Sequence, residues 1–179
     1  MRSAKLFFLL LLLVSFGCQK DKVRPVATLE VVDEWTALLD VTAAPGGSSP
    51  LFMPTSRIWS ACADTCRRNK TSLEQLQSAA LSEATLTVDA PPGQNFDFLR
   101  SMTFYIMSNQ GNDQIPLASI TAVPRGATRL TLTPTDASLL AYLRNREYYL
   151  KPQLELSQPG QTVARVQLQL RYRVQARQL

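Results

Sequence analysis

Along the second half of the chain, apolar and polar residues alternate with a period of two, which predicts strands. Ala84, Leu86 and Val88 alternate with Thr85 and Thr87, and a Pro-Pro-Gly turn falls within residues 89–94. Residues 101–108 (SMTFYIMS) are apolar on both parities and predict a central strand covered on both faces, ended by an Asn-Gln-Gly-Asn-Asp loop. Residues 117–123 and 129–133 predict two more strands, with Pro124-Arg125-Gly126 between them. The clearest pattern lies at the C-terminus. Residues 148–157 lead through Gln158-Pro159-Gly160-Gln161 into Val166, Leu168, Leu170, Tyr172 and Val174, which alternate with Gln167, Gln169, Arg171, Arg173 and Gln175. This predicts a hairpin with one face in the core and the other in water.

Upstream the pattern is less regular. Residues 23–43 hold β-branched residues without clean alternation, Pro45-Gly46-Gly47-Ser48-Ser49-Pro50 ends any regular element, and residues 44–70 read as irregular. Thr71-Ser72-Leu73-Glu74 fits a capping box and predicts a short helix to about Ala80. Thr135-Asp136 is placed to cap a helical turn carrying Leu139, Leu140, Tyr142 and Leu143, at a spacing suited to covering a core. Many strands at short spacing with little helix predict an all-β fold: an antiparallel β-sandwich, Ig-like or jelly-roll-like, with one or two short helices.

The N-terminus follows another rule. Arg2 and Lys5 precede an unbroken apolar run over residues 6–14, and Ser15-Phe16-Gly17 leads to Cys18. From residue 6 to residue 17 the segment is too short for a spanning helix, which needs about 20 apolar residues. It reads instead as a signal peptide over residues 1–17, with Cys18 as the lipidated first residue of the mature chain. A secretory signal cut elsewhere is the competing reading, since Ser15 stands where a lipobox usually carries Leu and Phe16 is bulky. Residues 18–25 are then the lipidated terminus and tether, and residues 26–179 one sandwich domain. The tetrad Gln19-Lys20-Asp21-Lys22 resembles the surface-export signal of Bacteroidetes-type lipoproteins, departing from it at Lys22. That resemblance implies an outer-membrane protein facing the cell surface, or otherwise the periplasm, with export residues Gln19, Lys20 and Asp21.

Charge changes little in this picture. The segment 1–17 carries two of the 19 basic residues and none of the 14 acidic ones, leaving 17 against 14, a net +3. Scattered basic residues and few aromatics form no nucleic-acid footprint. The chain has no histidine. It therefore lacks the means for a Ser-His-Asp or Cys-His nucleophile, a His-containing zinc site, or a base that titrates near neutrality without perturbation. Carboxylate pairs remain open to glycoside chemistry, but their separation is a property of the fold. Asp33, Glu34, Asp97, Asp113 and Glu147 belong to no catalytic motif and read as surface or turn residues. The Arg/Gln face of the last strand reads as a solubilising surface, with an anionic glycan or lipopolysaccharide as the alternative ligand. Neither a cofactor nor a resident metal is implied.

With Cys18 assigned to lipid, Cys62 and Cys66 remain. An even remainder in an exported protein suggests a disulfide, although residues four apart on a regular helix lie near the limit for a bridge, and a turn there would favour it. Two free thiols, or a redox or metal pair, are the other readings.

The blocks LEQLQSAALSEATLTV, FDFLRSMTFYIMS, PLASI, LTLTPTDASLLAYL and QLQLRYRV, spread over residues 72–176, resemble small Bacteroidetes-type lipoproteins of unknown function that carry a β-sandwich domain. The resemblance supports fold and address and carries over no active site. Together these features predict a lipid-anchored, non-enzymatic envelope module. Its expected partners are membrane lipid through acylated Cys18 and an envelope protein or glycan, with no nucleic acid. A glycan-active enzyme using paired carboxylates is the alternative.

Overall fold

The computed structural model describes residues 25–43, 50–157 and 160–179. Nine strands make one antiparallel sheet that curls into two facing layers: β1 (Val26–Ala43), β2 (Leu51–Phe52), β3 (Ser56–Trp59), β4 (Leu76–Ala90), β5 (Leu99–Met107), β6 (Ile115–Ile120), β7 (Arg129–Pro134), β8 (Glu147–Leu156) and β9 (Gly160–Arg177). The strand order is β1-β9-β4-β7-β6-β5-β8-β2, with β3 continuing β2 along the same edge of β8. The first four strands of that order form one layer and the rest the other. They join where β6 meets β7 through only two residue pairs, Ala118 with Pro134 and Ser119 with Thr133. The chain is an all-β sandwich, as its period-two patterning predicts.

The core is the shared inner face. Val166, Leu168, Leu170, Tyr172 and Val174 of β9 are buried, as are Met102, Phe104 and Ile106 of β5 and Tyr148, Leu150 and Leu154 of β8. Trp35 of β1 reaches across to meet the Phe104 ring edge-on, with centroids 5.8 Å apart. Among the described residues, two short α-helices accompany the sheet: α1 (Cys62–Arg68) and α2 (Leu140–Leu143). In α2, Tyr142 and Leu143 are buried together with the preceding Leu139, which is the core-covering role their spacing predicts. Thr135 does not cap this helix; its hydroxyl donates to the Pro116 carbonyl instead. The turn between β6 and β7 places Gly126 at φ +70, a conformation open to glycine at little cost, and its N–H donates to Asp97 Oδ1 at 2.6 Å.

Several sequence expectations are corrected. β8 and β9 are consecutive but do not form a hairpin: β9 lies between β1 and β4, whereas β8 lies between β5 and the β2/β3 edge. The connection crosses from one layer to the other, and the two strands meet through side chains across the core. The helix expected over residues 71–80 is a single 3-10 turn (Leu73–Gln75) followed at once by β4. Here Thr71 is buried and its hydroxyl bonds the Arg177 carbonyl, while burial of Leu76, Ala79 and Leu81 against β9 outweighs the local capping signal. Within residues 44–70, expected to be irregular, β2, β3 and α1 form. β1 does alternate, with Leu29, Val31, Asp33, Trp35, Leu39 and Val41 inward. β5 is one-sided rather than covered on both faces, since Ser101, Thr103 and Tyr105 are partly exposed.

Candidate functional site

The outer face of the β2/β3–β8–β5 layer carries the largest exposed aromatic side chains. In β3 the buried Ile58 sets the parity, so Arg57 and Trp59 point outward; Trp59 is 65% exposed. Phe52 of β2 is 56% exposed. The register sets Phe52 opposite Gln153, Arg57 opposite Tyr149 and Trp59 opposite Glu147 on β8. Each exposed ring is fronted by a cation, the Arg57 guanidinium at 4.9 Å from the Trp59 ring centroid and Lys151 Nζ at 4.9 Å from that of Phe52. Arg57 also pairs with Glu147 at 3.8 Å, and Tyr105 donates its hydroxyl proton to Gln153 at 3.0 Å. The result is a partly ordered row of rings and polar groups along one sheet.

Beneath this layer lies a buried polar chain. Asp33, expected at the surface, is only 3% exposed because its parity on β1 directs it inward. Asp33 Oδ1 accepts the Ala61 N–H at 2.8 Å, and Oδ2 accepts the Tyr148 hydroxyl at 2.9 Å. Tyr148 in turn accepts from the Tyr172 hydroxyl at 2.9 Å, joining the two layers through the core. Desolvation raises the Asp33 carboxyl above its ordinary value, against the lowering effect of the Ala61, Tyr148 and Ser60 hydrogen bonds. Burial likewise raises both tyrosines. The hydrogen bonds to this carboxylate come from a backbone N–H and a tyrosine hydroxyl.

Cys62 and Cys66 lie on α1, one turn apart, both buried and both thiols. Burial, reinforced by Cys66 and the Asp33 charge, pushes the Cys62 thiol up to about 12. Desolvation also raises Cys66. Burial thus favours the protonated thiol at both positions. The expected turn between them is a regular helical turn.

The Arg/Gln ladder of β9 faces outward as expected, with Gln169 and Arg171 partly covered, and several of its members are engaged across the layer. Arg171 pairs with Glu30 of β1 and, at 3.3 Å, with Glu83 of β4; Arg165 pairs with Asp89 at 2.6 Å; Gln169 donates to Glu34 at 3.2 Å. The two carboxylates around Arg171 border a shallow cleft of about 430 Å³, where each is tied to that guanidinium. A more open cleft of about 610 Å³ lies at one end of the sandwich, beside Asp97, Arg100, Thr121 and Arg125. Among the described residues there is no group of three or more acids or cysteines able to hold a metal ion. Cys18, Gln19, Lys20 and Asp21 lie outside the described residues. Sequence reasoning missed the aromatic row because Phe52, Arg57 and Trp59 sit in a stretch read as irregular.

The architecture defines the class as an antiparallel two-layer β-sandwich. No family model and no curated protein sequence matches the chain. Among solved structures, the decameric BFDV capsid protein is similar at 11% sequence identity and a TM-score of 0.40, over 86% of this chain and 100% of that one. At that level the likeness carries no inference about function.

Proposed function

We propose that the protein is a lipid-anchored module of the cell envelope, held on the outer membrane through acylated Cys18 and serving in binding rather than catalysis. The observation that carries this reading is the basic-then-apolar segment ending in Cys18, followed by the charged tetrad Gln19-Lys20-Asp21-Lys22. β1 begins at Val26, so residues 19–25 separate it from the anchor. Fully extended, seven residues reach about 25 Å, enough to hold the sandwich clear of lipid headgroups. One acyl chain holds a membrane only reversibly and stable anchoring takes two, each buried methylene contributing about 0.8 kcal/mol. The site supports binding over catalysis because the desolvated acid, Asp33, is spent on core hydrogen bonds while rings and polar groups occupy an outer face.

Mass spectrometry of the mature N-terminus tests the anchor. Acylated Cys18 is expected in the wild type, and unprocessed precursor in Cys18→Ala. Protease shaving of intact cells tests display, which should fall when Lys20 and Asp21 are both replaced by Ala. An unmodified N-terminus at another residue overturns the proposal.

A further inference from the structure

We infer that the cleft of about 610 Å³ at one end of the sandwich binds a small, soluble phosphomonoester. The inference deepens the binding role proposed above and rests on it for the orientation of the site. Two arginines on different elements line this cleft, Arg100 of β5 and Arg125 of the β6–β7 turn. Each is placed there by a local feature of the backbone. β5 pairs Leu99 with Leu156 and Ser101 with Glu155 on β8, so Arg100 is an extra residue without a partner on β8, a β-bulge. Leu99 and Met102 are consequently both buried although three positions apart, and Arg100 is turned out of the alternation. The turn that carries Arg125 is held from the β4–β5 connection, where Asp97 Oδ1 accepts the Gly126 N–H at 2.6 Å and the Asp97 carbonyl accepts the Ser157 hydroxyl at 2.5 Å. Among the described residues, neither guanidinium has an ion-pair or hydrogen-bond partner, and the same holds for the Thr121 hydroxyl that lines the cleft with them.

These donors select the ligand. A guanidinium is a planar fork that engages two oxygens, so one fork is enough for a carboxylate. A phosphate monoester offers three terminal oxygens and close to two negative charges, which suits two forks and a hydroxyl together. The ionisable groups lining the cleft are Arg100, Arg125 and Asp97, and Asp97 is tied to the Gly126 N–H. Glu155, beside the bulge, accepts from the Ser101 hydroxyl, and Asp89, near the end of β4, pairs with Arg165. Neither acid forms an ion pair with the two arginines. A phosphate ion alone occupies only a small part of 610 Å³, and Leu99 and Val123 add apolar wall, so the phosphate is carried on a small organic group. Register indicates where that ligand comes from. β1 pairs Val26 with Arg177 and Ala43 with Gly160, so Ser157 and the cleft lie at the end of the sandwich opposite Val26, where the tether enters. The 18 residues of β1 separate the two ends by up to about 60 Å at the usual strand rise. With the anchor at Cys18, the cleft faces away from the membrane that holds the chain, toward soluble ligands rather than lipid headgroups.

The full chain in detergent, in buffer free of phosphate, is titrated calorimetrically with glucose 1-phosphate and glycerol 3-phosphate, and with glucose, glycerol and succinate as controls. At least one ester is expected to bind saturably and none of the controls to do so. Replacing Arg100 and Arg125 together by Ala should weaken that ester by about tenfold or more with the thermal midpoint kept, since both side chains are exposed. Arg100→Lys and Arg125→Lys should each weaken it less, because charge is kept and the fork is lost. Arg173→Ala, exposed near the other end of β9, should bind as the wild type does. The inference is overturned if neither ester binds, if succinate binds as tightly, if the double Ala variant keeps the wild-type affinity, or if Arg173→Ala loses as much, which would mean diffuse attraction. The source is tested by repeating the titration with the chain in phosphatidylcholine vesicles, with and without phosphatidic acid, at physiological salt. Equal affinity is expected, and loss of ester binding beside phosphatidic acid overturns the assignment to a soluble ligand. The detergent titration reads the cleft whether or not Cys18 is acylated, and mass spectrometry reads the acylation separately.

Discussion

At the scale of single residues, Asp33 has the most consequence. It stands in an inward row of apolar side chains and ties β1 to Tyr148 and to the entry of α1. Because desolvation raises its folded-state pKa above the ordinary 3.8, the native state binds this proton more tightly than the unfolded chain. Below the unfolded value the proton is bound in both states and Asp33 carries no pH-dependent cost. As pH rises from there through the folded value, stability falls. Asp33→Asn removes that slope, so the stability of the wild type relative to the variant should decline over this window and then level off. Urea unfolding at a series of pH values measures it, and a constant difference would contradict the burial argument. The thiols of α1 make a second prediction at this scale. Iodoacetamide should spare Cys62 and Cys66 in the native protein and label both after unfolding without reductant. Failure to label the unfolded chain would mean that the pair is bridged.

At the scale of elements, the C-terminal strand shows what period-two patterning can and cannot resolve. Its inward and outward residues fall as their alternation predicts, because register is pinned wherever one face is buried. Leu170→Ala should therefore cost about 2–5 kcal/mol, since it empties a packed core position. Arg171→Ala should leave the denaturation midpoint near that of the wild type, because its ion pairs with Glu30 and Glu83 are solvent-exposed. Denaturant unfolding of the two variants checks both expectations, and an exchange of their effects would mean a one-residue slip. What alternation leaves open is the partner. A hairpin and a strand pair that cross between layers both bury one face and both turn through Gly and Pro, so β8 and β9 look alike in either arrangement. The capping box at residues 71–74 fails for a related reason: a cap contributes about 1 kcal/mol, whereas β4 buries several side chains against β9.

At the scale of the whole molecule, the sandwich places its chemistry on two surfaces of different character. The β9 layer presents paired charges, and the β8 layer presents exposed rings. The sequence by itself determined the all-β class, most strand positions, the inward parity of β9 and the covering role of α2, because these follow from local periodicity and turn residues. The expectation of an anchor at Cys18 is also local, resting on the length and flanks of one apolar run. Tertiary structure alone decided the rest. Asp33 became a core residue because strand parity, not residue type, sets which way a side chain points. Phe52, Arg57 and Trp59 came together because two short edge strands, two and four residues long, pair with β8, which lies far along the sequence. Such pairing leaves no periodic trace in segments so short, since a pattern needs several repeats before it can be read.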